Sequence, residues 1–167
     1  GFKRKRKDLC IIKSSVPALV SVKFTKNQVK AAPLLLAMEN LKGMDKRLSA
    51  LVINSGNANA GTGEQGMQNA VKTASYCAEK LDIAASEVLV SSTGIIGEQL
   101  DMNKMLPGLD YCCQNLSIEN GLHCPEAILT TDTVEKSFGS ELDIAGKAVH
   151  FSGMTKGSGM IAPNMAT

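Results

Sequence analysis

Thr167, preceded by Ala166 and by the small-residue stretch Gly157-Ser158-Gly159, has the most distinctive chemistry open to it in this sequence. A threonine hydroxyl can attack the carbonyl just before it and cut its own peptide bond. The threonine so freed carries a hydroxyl nucleophile and an α-amine on one residue. An α-amine titrates ordinarily at about 7.7–8.0, which suits a base working near neutrality. Further upstream, Ser91-Ser92-Thr93-Gly94-Ile95-Ile96-Gly97-Glu98 follows an apolar run. A hydroxyl residue followed by glycine can aim a side-chain O–H and a backbone N–H at one point, the donor pair that a developing oxyanion needs. An ordinary strand-to-loop exit is the plainer alternative. Lys156 stands among small residues that leave its ammonium room to reach a carboxylate. A solvated surface lysine is the alternative there.

Other groups fit chemistry less well. The loop Asn54-Ser55-Gly56-Asn57-Ala58-Asn59-Ala60-Gly61-Thr62-Gly63 could cradle an anion at a helix start. It has neither the lysine nor the spacing of a phosphate loop and is not a dinucleotide fingerprint, so a tight Asn/Gly turn network is the simpler reading. His123 beside Cys124, and His150 beside Phe151, read as structural, because sequence neighbours seldom point at each other. Glu98, Asp132 and Glu135 could form acid/base pairs, with solvated carboxylates the default reading. No His/Cys/Asp/Glu spacing matches a metal site.

The elements that must position these groups are legible from periodicity. Leu9-Cys10-Ile11-Ile12 and Ala18 to Phe24 read as strands, the second by period-two alternation. Pro33 to Leu41 reads as a short helix with proline in its first turn and Gly43 beyond its end. Ala50 to Asn54 reads as a strand, Gly66 to Leu81 as the clearest amphipathic helix, and Val88 to Ser91 as a further strand. A helix capped by Asp101 is expected over Met102 to Leu106, interrupted by Pro107 and Gly108. Ala127 to Thr133 reads as a Thr-rich strand, and Ser140 to Ile144 with Lys147 to Ser152 as a hairpin about Ala145-Gly146. Strands and helices mix without strict βαβ alternation, which predicts a layered α/β protein whose sheets are not simply parallel.

The bulk composition sets outer limits. With 167 residues, 44% hydrophobic and 20% charged, the chain can form one domain with a real core; only 4% is aromatic, so aliphatic residues, Ala and Met must fill it. Eighteen basic against sixteen acidic residues, net +2, argue for neither a nucleic-acid nor a membrane partner. The basic run from Lys3 to Lys7 reads as a solvated terminal segment. Five cysteines, odd in number and without Cys-x-x-Cys spacing, fit a reducing compartment better than a disulfide framework. No apolar stretch is long enough to span a bilayer. The start on Gly1 and the end at Thr167 read as the bounds of a processed or trimmed piece.

Taken together, the stretches resemble one family, the ornithine acetyltransferases (bifunctional glutamate N-acetyltransferases) of arginine biosynthesis. The resemblance rests on Phe24-Thr25-Lys26-Asn27 with Lys30-Ala31-Ala32-Pro33, on Val52 to Ala60, on Ser92 to Glu98, on Ala127 to Thr133 and on Lys156 to Thr167, in that order along nearly the whole chain. Gly61 and Asp101 differ from residues common at those positions in the family. The resemblance implies autocatalytic cleavage between Ala166 and Thr167, so that residues 1–167 form a single α-chain piece ending at the junction. Thr167 then opens the β chain as the acetyl-accepting nucleophile. Thr93 and Gly94 match the oxyanion pair; Lys156 and a threonine of the Thr130-Thr131-Asp132-Thr133 run, Thr130 foremost, match substrate-binding positions. The implied reaction is ping-pong, from N-acetylornithine to glutamate, with no metal or organic cofactor and with acetyl-CoA as an additional donor in some members. A related self-processing amidase or aminopeptidase is the alternative, and a non-catalytic binding or assembly domain a more distant one. The implied fold is an α-β-β-α sandwich of mixed sheets, co-folded with a separate β chain and paired as α2β2. The implied location is the cytoplasm, or the mitochondrial matrix or plastid in a eukaryote.

Overall fold

The structure is a computed structural model and describes residues 6–42 and 47–159. Its centre is a three-stranded sheet ordered β1-β2-β3, formed by β1 (Leu9–Leu19), β2 (Arg47–Asn57) and β3 (Val88–Ile95). β1 and β2 run antiparallel while β2 and β3 run parallel, so the sheet is mixed as the lack of βαβ alternation predicts. A bulge breaks the β1–β2 register between Lys13 and Ala18.

Alternation along the strands gives this sheet two apolar faces. Ile11 pairs with Val52, and Val52 with Val90; all three are buried on the face that carries the main core. α2 (Gly63–Leu81) and α3 (Met102–Gln114) cover that face. α2 buries a stripe of small residues, Gly66, Ala70, Thr73, Ala74, Cys77 and Ala78, whose short side chains let its axis lie close to the sheet. Val71, expected on the apolar stripe, points outward instead. From α3, Met105 and Leu109 enter the same core fully buried. On the opposite face Cys10 joins Ala127 and Ile128, with Ile53, Cys124 and Met154 packed around them.

α3 continues through Pro107 and Gly108, where the sequence predicts an interruption. Pro107 lies on the exposed side, where the carbonyl its missing N–H leaves unpaired can meet water. Gly108 faces β1: a β-carbon there would sit 2.8 Å from Leu9 Cδ2, so glycine sets the close approach of helix to strand. Asp101 caps this helix as expected, accepting from the Asn103 N–H at 3.0 Å.

α1 (Ala32–Asn40) matches its expected span. Residues 20–24 do not form the expected strand. β1 ends at Leu19 opposite Arg47, and among the described residues no strand pairs with residues 20–24, which line a small hollow with Met38 and Leu41. The expected Thr-rich strand at 127–133 is also absent. α4 (Ile118–Gly121) and α5 (Cys124–Ala127) lead into a non-repetitive loop over residues 128–135. β4 (Lys136–Ile144) and β5 (Lys147–Thr155) form the predicted hairpin about Ala145-Gly146, longer than periodicity alone suggests, as a separate two-stranded sheet.

Candidate active site

The Asn-rich segment that forms the end of β2 and the turn after it proves to be scaffold. Asn54 Nδ2 donates to the Asn57 carbonyl (2.8 Å), and Ser92 Oγ donates to Asn54 Oδ1 (2.6 Å). Asn57 Oδ1 takes the Asn59 N–H (2.7 Å), and its amide reaches the Glu98 carbonyl (3.1 Å). Asn59 binds the Gly66 carbonyl and the Thr62 hydroxyl, each at 2.9 Å. These buried amides spend their donors and acceptors on one another and on backbone, the accounting that a dry interior demands. The turn-network reading therefore holds, and the segment's work is to brace the end of β3.

That end carries Thr93 and Gly94. Both lie within β3 and not in a loop after it, in register with Ser55 and Gly56 of β2. Gly94 has φ +140°, and a β-carbon would fall 2.2 Å from the Gly56 carbonyl carbon. Only glycine permits strands to meet this closely there. The half-buried Thr93 hydroxyl makes no hydrogen bond to another described residue, so its donor is uncommitted.

Thr130 and Lys156 are 26 residues apart in sequence, yet Lys156 Nζ approaches Thr130 Oγ1 to 3.5 Å. This is a long, weak hydrogen bond. No salt bridge to Lys156 exists among the described residues. The two are brought together by Asp132, whose side chain is wholly buried, which overturns its reading as a solvated carboxylate. Asp132 Oδ1 accepts from Lys136 Nζ (2.8 Å) and from the Gly157 N–H (2.5 Å), and Oδ2 from the Thr130 N–H (3.3 Å). Lys136, then the backbone donors, hold this carboxyl far below the usual carboxylate range against the opposing effect of burial. Sequence reasoning missed Asp132 because nothing in its neighbours marks it as buried; the available signal was Lys136 four residues on.

A carboxyl with a lowered pKa in the fold contributes stability above its unfolded pKa of about 3.9, and the contribution fades as pH falls from there towards the folded value. In the full-length protein, Asp132→Asn is therefore expected to lower Tm at pH 7. The gap to wild type should narrow as the buffer is taken below about pH 4. A gap that stays constant from pH 7 to pH 3 contradicts the ionised clamp.

The Thr93–Gly94 end and the Thr130–Lys156 clamp are joined through β2. Ser55, in register with Thr93, donates its hydroxyl to the Ala127 carbonyl, and its N–H to the Asp8 carbonyl at 2.9 Å. The loop carrying Thr130 starts from that anchor. Ala166 and Thr167 lie outside the described residues. The apolar groove of about 840 Å³ that Ile11, Ile118, Phe138 and Met154 help to line includes none of the four site residues. Among the described residues no group of three or more His, Cys, Asp or Glu could hold a metal ion. All five cysteines are free thiols.

The mixed α/β fold thus carries a Thr-Gly pair near the end of β3 and, held by Asp132, a separate Thr–Lys pair. The chain belongs to the ArgJ family, whose model matches residues 1–167. It is 48% identical over 167 residues to the arginine biosynthesis bifunctional protein ArgJ of Caldanaerobacter subterraneus subsp. tengcongensis, covering 100% of this chain and 41% of that protein. The chain thus spans about two fifths of the length of that curated relative. Its fold is similar to the crystal structure of the ArgJ protein from Bacillus halodurans, with TM-score 0.89 and 43% identity over 98% of this chain and 85% of that one. It is also similar to the ornithine acetyltransferase of Mycobacterium tuberculosis solved in complex with ornithine, with TM-score 0.82 and 36% identity over 93% and 82% of the two chains.

Proposed function

We propose that the full-length protein containing this chain transfers an acetyl group from N-acetylornithine to glutamate, after cutting itself between Ala166 and Thr167. The observation that carries this reading is the convergence of the Thr130 hydroxyl and the Lys156 ammonium, 3.5 Å apart and without an ion-pair partner among the described residues. Both substrates bear an amino-acid carboxylate, and an ammonium beside a hydroxyl suits that group.

In the proposed reaction the Thr167 hydroxyl attacks the acetyl carbonyl while its own α-amine takes the hydroxyl proton. The Thr93 hydroxyl and the Gly94 N–H donate to the oxyanion that forms. Collapse breaks the amide C–N bond, returns the proton to the departing amine, and leaves acetyl-Thr167 with free ornithine. The glutamate amine then attacks the ester, restoring the Thr167 hydroxyl and yielding N-acetylglutamate. No metal or organic cofactor enters these steps, and acetyl-CoA would serve as an alternative donor to the same threonine. A β chain beginning at Thr167 completes the α-β-β-α sandwich, and α2β2 is the proposed assembly. A reducing compartment, cytoplasm or organellar matrix, suits five free thiols.

The test is acceptor dependence. The purified full-length protein, incubated with N-acetylornithine, is expected to release ornithine and form N-acetylglutamate only when glutamate is added. Steady release of acetate without glutamate would make it a hydrolase and overturn the assignment.

A further inference from the structure

We infer that Asp132 is a positioning residue which sets the spacing of the Thr130 hydroxyl and the Lys156 ammonium, and that Lys136 neutralises it so that Lys156 stays available to a substrate carboxylate. The inference deepens the acetyltransferase reading and rests on it for the identity of that carboxylate.

The geometry is specific. One carboxylate grips the backbone N–H of residue 130 itself and the N–H of residue 157, immediately after Lys156. The two halves of the site are therefore held by one rigid, planar group with oxygens on both. Gly157 is buried with φ +140°, a conformation that a side chain disfavours, and it turns its N–H into the carboxylate. A buried anion must be matched by a cation or by donors, and two cations lie close in sequence to the clamp. Lys136 binds Asp132 at 2.8 Å, whereas among the described residues Lys156 is engaged only by the long contact to Thr130. Pairing the carboxylate with Lys136 keeps Lys156 from being captured by it. Charge is thus divided into a closed pair that builds the site and an open ammonium that faces a ligand.

Asp132→Asn keeps the size of the side chain but sets an NH2 group against donors, so one arm of the clamp must open. In the full-length, self-cleaved protein we expect KM for N-acetylornithine and for glutamate to rise about tenfold, with kcat per cleaved molecule within about threefold, since a misplaced binding group is felt first in binding. Lys136→Met leaves Asp132 to draw on Lys156 and should raise KM similarly, while Lys136→Arg restores the pair and the wild-type KM. Calorimetric binding of ornithine gives a readout independent of turnover, and its Kd should rise about tenfold in Asp132→Asn and Lys136→Met. A merely structural role predicts less folded and cleaved protein with KM and Kd unchanged, and that result overturns the inference. Absence of acetyl transfer in the wild type would instead sink the acetyltransferase reading, while weaker ornithine binding in Asp132→Asn would still uphold the clamp.

Discussion

Alanine at position 94 is expected to lower kcat for acetyl transfer by about 10²–10³-fold in the complete protein, the usual cost of losing one oxyanion donor. The physical cause is local and severe. The new β-carbon would lie 2.2 Å from the Gly56 carbonyl carbon, 2.5 Å from the Asn57 nitrogen and 2.6 Å from the Gly56 oxygen, all of them backbone atoms that cannot rotate away. The φ of +140° adds strain for any residue with a side chain. The strand end must shift, moving the Thr93 hydroxyl and the Gly94 N–H that the proposed mechanism assigns to the oxyanion. Steady-state kinetics on self-cleaved protein, corrected for the cleaved fraction by mass spectrometry, should show kcat falling much further than KM rises. A variant with normal kcat would show that residues 93 and 94 do not serve the reacting carbonyl.

Thr167→Ala in the precursor is expected to abolish two events together. Self-cleavage should stop, so intact-mass analysis finds one uncut chain, and acetyl transfer should fall on the order of 10⁶-fold, as when a covalent nucleophile is deleted. Under the proposed mechanism both losses follow, because one hydroxyl would act first on the Ala166 carbonyl and then on the acetyl carbonyl. Incubation with N-acetylornithine and rapid quenching should add an acetyl group to the wild-type β chain and none to the mutant. Normal acetyl transfer by the alanine variant would remove Thr167 from the mechanism.

Much of the scaffold could be read from periodicity because its elements are governed by simple burial. The stripe at Ala70, Ala74, Cys77 and Ala78 announced α2, and the alternation around Ala145-Gly146 announced the hairpin. The failures have physical reasons. Residues 127–133 are rich in β-branched threonine, yet the loop folds around the Asp132 carboxylate, which takes the Thr130 N–H in place of a neighbouring strand. Pro107-Gly108 looks like a helix stop. Its proline is exposed, and its glycine is needed where Leu9 presses on α3, so tertiary packing overrides local propensity. Val20, Val22 and Phe24 alternate as a strand would, yet no strand among the described residues pairs with them, and alternation by itself supplies no partner. Of the site, Thr93, Gly94, Thr130 and Lys156 were visible as residue types in short motifs. The meeting of Thr130 with Lys156, and the tie from β2 to the loop that carries Thr130, depend on hydrogen bonds spanning 25 to 72 residues, which no local pattern encodes.

Among the described residues the hairpin of β4 and β5 pairs only with itself, and Phe138, Leu142 and Ile144 are at least half exposed along it. Nine residues in each strand, at about 3.3 Å apiece, make an arm roughly 30 Å long. Lys136 starts one strand, Thr155 ends the other opposite it, and Lys156 follows directly. Both inner ends of the arm are tied to one carboxylate, through Lys136 Nζ and the Gly157 N–H, so the hairpin and the Lys156 ammonium share a single anchor.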